Sequence, residues 1–197
     1  MSENMDLKKE AKKKSLLEAA QLLFLEKGVS KTSISEIADR AQVAKGTFYL
    51  YFKDKDTLLE QLLYEISYSI IQRAYDYAEA HQTEQFVENV ILFADWIINY
   101  FTEHTDVLRL IRRNFSWPLL EHSLSDFSDD PLLQSITTRL YHAPLKDVHS
   151  SQELFNIIYI IVDLCGSVCY SSIIEQRPDT IDNMKPLLYD IIRRILQ

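Results

Sequence analysis

Three glycines in 197 residues leave very little material for sharp turns. An average chain carries roughly 7% glycine. Hairpin-rich sheets, dinucleotide folds and P-loops all need glycine where the backbone turns left-handed or closes on a phosphate. In its place Leu, Ile, Ala, Glu and Lys recur in long runs, with no fixed repeat and no low-complexity tract. The expected fold class is therefore all-α. Apolar residues at 47% suffice for a real core, and charged residues at 25% are ordinary for a folded chain.

The net charge of −8 conceals an asymmetry. Residues 1–60 hold 11 Lys/Arg against 10 Asp/Glu, and the remainder holds 10 against 19. Lys8, Lys9, Lys12, Lys13 and Lys14 crowd the start. A mildly basic head on an acidic body is compatible with local nucleic-acid contact, whatever the overall sign. Glu18 and Glu26 interrupt the first apolar segment, so no signal peptide is expected. The apolar run from Leu154 to Ile174 carries Asp163 near its middle, where a membrane span would lose about 2.5–3.5 kcal/mol. It reads as a buried helix of a cytoplasmic protein with no membrane partner. Cys165 and Cys169 stand one helical turn apart, and two roles stay open for them: small apolar fillers, or a thiol sensor.

Apolar positions recur at three- and four-residue steps along nearly the whole chain. The first helix runs from about Lys9 to Lys27, with Leu16, Ala19, Ala20, Leu23 and Phe24 on one face and Gly28 as its stop. Ser33-Ile34-Ser35-Glu36 reads as a capping box opening a short helix, Ile34 to Ala41. A turn at Gln42-Val43 leads to a second short helix, Lys45 to Tyr51, and Asp54 caps a long one starting near Lys55. Further helices are expected at 55–80, 85–103, 105–115, 131–141, 151–175 and 181–196, and the stretch from Pro118 to Pro131 leaves room for one more. Pro186 sits either in the first turn of a helix starting near Asn183 or inside one starting near Ile181.

The two short helices and their turn form a helix-turn-helix unit. Phe48 and Phe52 stand four apart as anchors, while Lys45, Thr47, Tyr49 and Tyr51 occupy the remaining positions. Aromatic anchors on one side, with hydroxyls and a lysine on the other, describe a helix that enters a major groove. The run from Thr32 to Leu59, preceded by Leu17-Glu18-Ala19-Ala20 and Phe24-Leu25-Glu26-Lys27-Gly28, resembles the DNA-binding domain of the tetracycline-repressor (TetR) family of bacterial regulators. The specific likeness covers residues 15–60. It implies that Thr32 and Ser33 bond a phosphate and that Ser35 reaches a base edge or a phosphate. It implies that Lys45, Gly46 and Thr47 approach bases and backbone, that Tyr49 and Tyr51 contact phosphates or a thymine methyl, and that Lys55 contacts a phosphate. The lysines at 8–14 are either an added DNA contact or a solvated arm. Gln42 stands where the family commonly has glycine, and Ala44 where it commonly has serine.

The resemblance further implies a DNA-binding domain over residues 1–54 and a helical ligand-binding and dimerisation domain over 55–197. The last two long helices of the second domain would pair with their mates in a homodimer. Independently, helix 151–175 is apolar on nearly every face and needs cover all round. For a small-molecule effector, the candidate pocket lies between helices 85–103, 105–115 and 151–175. Its candidate lining residues are Phe93, Trp96, Tyr100, Trp117, Tyr159, Asp163 and Tyr170, each of which has a core role as its alternative. A carboxylate such as Asp163 in so apolar a helix needs a partner in the core, across a dimer or on a ligand. Arg109, Arg112 and Arg113 are candidates for an anionic ligand or for a solvated face. Catalysis finds no support: there is no Gly-rich phosphate loop, no HExxH and no Glu-x-x-His, and the five histidines are scattered. No cofactor, no metal and no enzyme activity are expected. The expected function is a dimeric repressor that binds a palindromic double-stranded DNA operator and leaves it when a small molecule enters the second domain. The alternatives are a DNA-bound adaptor or co-activator controlled by a protein partner, and a helical enzyme with an incidental helix-turn-helix.

Overall fold

The computed structural model describes residues 2–111, 131–141 and 150–196. Its described residues form helices and connections, with no strand among them. In chain order these are α1 (Ser2–Lys27), a 3-10 turn (Val29–Lys31), α2 (Ile34–Arg40), α3 (Lys45–Phe48), α4 (Lys55–Ala80), α5 (Phe86–Glu103), α6 (Thr105–Ile111), α7 (Pro131–Tyr141), α8 (Ser151–Cys169), a π-helical turn (Tyr170–Glu175) and α9 (Ile181–Ile195). The chain divides into two compact units, residues 1–65 and 66–197, with the division inside α4. The border expected at residues 54/55 marks the start of that same helix.

In the first unit α1 buries Leu16, Leu17, Ala19, Ala20, Leu23 and Phe24, and α2 buries Ile37 and Ala38. Phe48 and Phe52 from the α3 region and Leu58 and Leu62 from α4 complete the core. Gly28 ends α1 at φ 84, a conformation that costs glycine little, and its amide donates to the Phe24 carbonyl at 2.9 Å. Glu26–Arg40 (2.9 Å) and Lys27–Glu36 ion pairs tie α1 to α2.

The α3 helix is shorter than the expected Lys45–Tyr51. Only Lys45–Phe48 is α-helical. The chain then tightens, with the Leu50 and Tyr51 amides donating to the carbonyls three residues back, Thr47 and Phe48. Such tightening is common in a last turn, and here the chain redirects into α4 directly afterwards. The turn ahead of α3 places Gln42 at φ 56, in the left-handed region that costs a side chain-bearing residue about 1–2 kcal/mol. Gln42→Gly should relieve that strain at a smaller entropic penalty, for a net stabilisation of about 0.5–1 kcal/mol. Slower amide exchange across residues 34–52 would register it, and unchanged or faster exchange would show that the turn is unstrained.

In the second unit α8 packs against α5, α7 and α9, burying Ile161, Cys165 and Cys169. Its N-terminus carries a capping box: Glu153 N–H donates to Ser150 Oγ at 3.3 Å, and Ser150 N–H donates to Glu153 Oε2 at 2.8 Å. The expected helix 151–175 is continuous in direction but changes to π-type bonding from Tyr170. Thr180 stands at the N-cap of α9, which begins at Ile181, so Pro186 lies inside the helix. Polar ties join α5 to α9. Lys185 Nζ reaches Asp95 at 2.7 Å and Asn99 at 2.8 Å, Tyr189 donates to Asp95, and Arg193 pairs with Glu88 at 2.9 Å. Burial works against ionising Asp95, yet the Lys185 and Tyr189 hydrogen bonds outweigh it and hold its carboxyl below the usual range. Burial pushes the Cys165 thiol up to about 12 and raises Cys169 further. Thiols so placed carry little thiolate, which favours the filler role over the sensor.

Candidate nucleic-acid interface

The reading surface is built outward from Phe48. This ring is fully buried, with Tyr49 edge-on at 5.4 Å and Phe52 at 5.7 Å. A helix of one turn has no stability of its own, so this anchor is what holds it. With Phe48 turned inward, its neighbours turn out: Tyr49 is 53% exposed and Leu50 77%. Lys45 and Gly46 are exposed, and Thr47 and Tyr51 are half-buried.

Gly46 is informative. Its φ is not positive, and a Cβ built on it would meet nothing within 4 Å. Neither backbone conformation nor internal packing calls for glycine, and the space beside its Cα is open. Ala44, at the N-cap, supplies no side-chain hydrogen bond to α3. The hydroxyl missing at this position is thus a real loss for the helix start.

At the start of α2 the capping box is formed. Glu36 N–H donates to Ser33 Oγ at 3.3 Å, and Ser33 N–H donates to Glu36 Oε2 at 2.9 Å. Lys27 donates to the same carboxylate. The Lys27 hydrogen bond first, then that of the Ser33 amide, lower the Glu36 pKa from 4.5 to about 2. Ionised Glu36 therefore adds stability that is full above its ordinary pKa and is lost as pH falls from about 4.5 toward 2. Glu36→Gln should destabilise the first unit at neutral pH, with the gap to the native chain closing near pH 2. Urea midpoints read between pH 7 and pH 2 would show this, and a gap constant with pH would contradict it.

Two sequence-predicted contacts have internal employment. Thr32 is 2% exposed; its hydroxyl donates to the Gly28 carbonyl at 2.9 Å and its amide to the Val29 carbonyl at 3.2 Å. It is turned inward and closes the α1–α2 connection. Lys55 Nζ donates to the Val29 carbonyl at 2.7 Å and to that of Thr32 at 2.9 Å, so the ammonium clamps that connection with at most one N–H to spare. Ser33 is exposed and Ser35 half-buried. Leu50 escapes a reading of the sequence because an apolar residue beside Phe48 looks like core. Two residues beyond Phe48, helical geometry turns it roughly 200° away from that anchor and so outside.

In the second unit Trp96 and Tyr100 stack at 5.5 Å, and Tyr100 stacks on His104 at 4.2 Å. The Arg73 guanidinium lies over both larger rings, at 5.2 and 5.4 Å. Phe93, Tyr159 and Tyr170 are half-buried, whereas Asp163 is exposed, as is Ile160 one turn before it. Trp117, Arg112, Arg113 and the segment from Pro118 lie outside the described residues. Among the described residues no group of three His, Cys, Asp or Glu is placed to hold a metal, and no helix is long and apolar enough to cross a membrane.

Residues 16–62 match the family model for bacterial regulatory proteins of the tetR family. The chain is 31% identical over 105 residues to the HTH-type transcriptional regulator YhgD of Bacillus subtilis, covering 52% of this chain and 53% of that one. It is 29% identical over 116 residues to the HTH-type transcriptional regulator TtgR of Pseudomonas putida, covering 58% and 51%. The match to YuxN of Bacillus subtilis, 29% identical over 113 residues, covers 56% of this chain and 37% of that protein, so the chain spans about half or less of these relatives. The fold likeness extends further. A TetR family transcription regulator from Marinobacter aquaeolei superposes with a TM-score of 0.56 at 18% identity, covering 100% of this chain and 98% of that one. The fatty acid degradation regulator FadR from Bacillus halodurans superposes with a TM-score of 0.59 at 16% identity, covering 92% and 94%. Residues 16–62 of the chain thus carry a helix-turn-helix domain similar to that of the bacterial regulatory proteins of the tetR family.

Proposed function

We propose that the chain is a cytoplasmic transcription regulator, a dimeric repressor whose first unit reads a palindromic operator and whose second unit binds a small-molecule effector. The observation that carries the DNA-binding reading is the glycine at position 46, which nothing inside the protein requires, beside the outward-turned Lys45, Tyr49 and Leu50. Lys45, Gly46 and Thr47 approach bases and backbone. Tyr49 and Tyr51 hydroxyls reach phosphates, and Leu50 offers an apolar contact to a thymine methyl. Ser33 and Ser35 face the backbone from α2, while Thr32 and Lys55 position that helix rather than touch DNA.

Dimerisation is supported by Ile160 on α8 and by Leu187 and Ile191 on α9, apolar side chains left exposed on two helices that pack together. Asp163 belongs to this outer face. An effector site is supported by the Trp96–Tyr100–His104 stack with Arg73 above it and by half-buried Phe93, Tyr159 and Tyr170, which suits a ligand with a flat apolar part. Effector and operator then oppose each other through one reciprocal coupling free energy.

The test of the DNA-reading surface is Lys45→Ala with Tyr49→Ala, both exposed positions whose truncation leaves the core intact. Duplex DNA recovered from the host genome by selection should bind the variant about 10–100-fold more weakly, at an unchanged helical content. Unchanged affinity would remove α3 from the reading surface.

A further inference from the structure

The first helix continues well beyond the core it serves. Its buried residues begin at Leu16, yet the helix starts at Ser2. Lys8, Lys12, Leu16 and Ala20 follow one another at four-residue steps, and Lys9, Lys13 and Leu17 form the neighbouring row. One helix face therefore changes from apolar to lysine within a single turn, at the point where the domain ends. Lys8, Lys9 and Lys12 are exposed and Lys13 is half-buried. Among the described residues none of the four forms an ion pair. Glu10, Lys14 and Glu18 occupy a different row, where Lys14 pairs with Glu18 at 3.8 Å.

The position of that face is set by Ser15, whose hydroxyl donates to the Ala41 carbonyl at 3.2 Å. This bond fixes α1 level with the turn between α2 and α3. The residues before Ser15 extend α1 beyond that level, with their lysines in the rows that further along hold the buried Leu16, Leu17 and Ala20. Lys8 and Lys12, and Lys9 and Lys13, stand at i,i+4 and repel each other in the free protein. A polyanion lying beside the α2–α3 turn would relieve both.

We propose that Lys8, Lys9, Lys12 and Lys13 form a basic rail along the DNA backbone, engaging phosphates next to the segment read by α3 without adding sequence discrimination. The proposal rests on the DNA-binding reading of the first unit. The experiment uses the full chain and a variant with Lys8, Lys9, Lys12 and Lys13 all changed to Gln, a substitution that leaves helix propensity nearly unchanged. Each binds a genome-selected duplex and a random duplex of equal length between 50 and 300 mM KCl. For each phosphate that the variant no longer neutralises, the slope of log K against log salt should shrink by about 0.9. With all four ammonium groups gone, affinity near 100 mM salt should fall on the order of 100-fold or more for both duplexes, leaving their ratio unchanged. Restoration of the slope by four arginines in place of the lysines would identify charge as the cause. A native chain that binds while the Gln variant keeps its slope overturns the rail alone. A native chain that binds neither duplex overturns the DNA-binding reading and the rail with it.

Discussion

Phe48→Ala should cost the first unit about 3–5 kcal/mol, the range for removing a fully buried phenylalanine ring. Phe48 is 0% exposed, touches Tyr49 and Phe52, and belongs to a helix of four residues. No other side chain of α3 reaches the core, so neighbours have little means of closing the cavity. A loss of that size is a large share of the roughly 5–15 kcal/mol that holds a typical domain together. Amide exchange on the full chain should show residues 34–62 opening far more readily while the α5, α8 and α9 amides keep their protection. DNA binding should fail although Lys45, Tyr49 and Leu50 are unaltered. A destabilisation under about 1 kcal/mol would mean that α3 is held by something other than this anchor.

The double change Leu187→Glu with Ile191→Glu should convert a dimer to a monomer. Both side chains are exposed on α9, on the same side one helical turn apart, so charging them leaves the core of Leu188 and Ile192 undisturbed. Two carboxylates on each protomer would then face their counterparts across the two-fold axis, where burying unpaired like charges is prohibitive. Sedimentation should read one protomer instead of two. Operator affinity should fall by about 10²–10⁴, the advantage that joining two half-site readers confers. A native chain that already sediments as a monomer, or a variant that remains a dimer, would place the interface elsewhere.

What could be read from the sequence follows how local each feature is. The Ser33/Glu36 capping box is a short local pattern, and its hydrogen bonds are those expected. The apolar stripes of α1, α4 and α5 needed only periodicity. Gln42 stands in the left-handed region at the turn after α2, and the glycine common at that place in the family pointed to it. Thr32 and Lys55 were harder, because their partners lie elsewhere in the chain: Leu23 and Gly28 for the threonine, Val29 and Thr32 for the lysine. A hydroxyl and an ammonium at a helix start look alike in sequence whether they face a phosphate or a carbonyl of their own chain. Asp163 misleads in a similar way. Its apolar surroundings along α8 suggest burial, but only the packing of α5, α7 and α9 decides which side of that helix is left uncovered. The end of α3 depends on how Phe48 and Phe52 seat together, and no periodicity over seven residues resolves that.

The measurement that reaches furthest is selection of bound fragments from the host's own DNA by the folded full chain, at low and stated salt with no added small molecule. Two recognition segments related by a two-fold axis should enrich a palindrome whose half-site centres lie about one helical turn apart, or a multiple of it. Retention of fragments without any shared sequence, or enrichment of a sequence lacking two-fold symmetry, would contradict a dimer that reads DNA through Lys45–Tyr51.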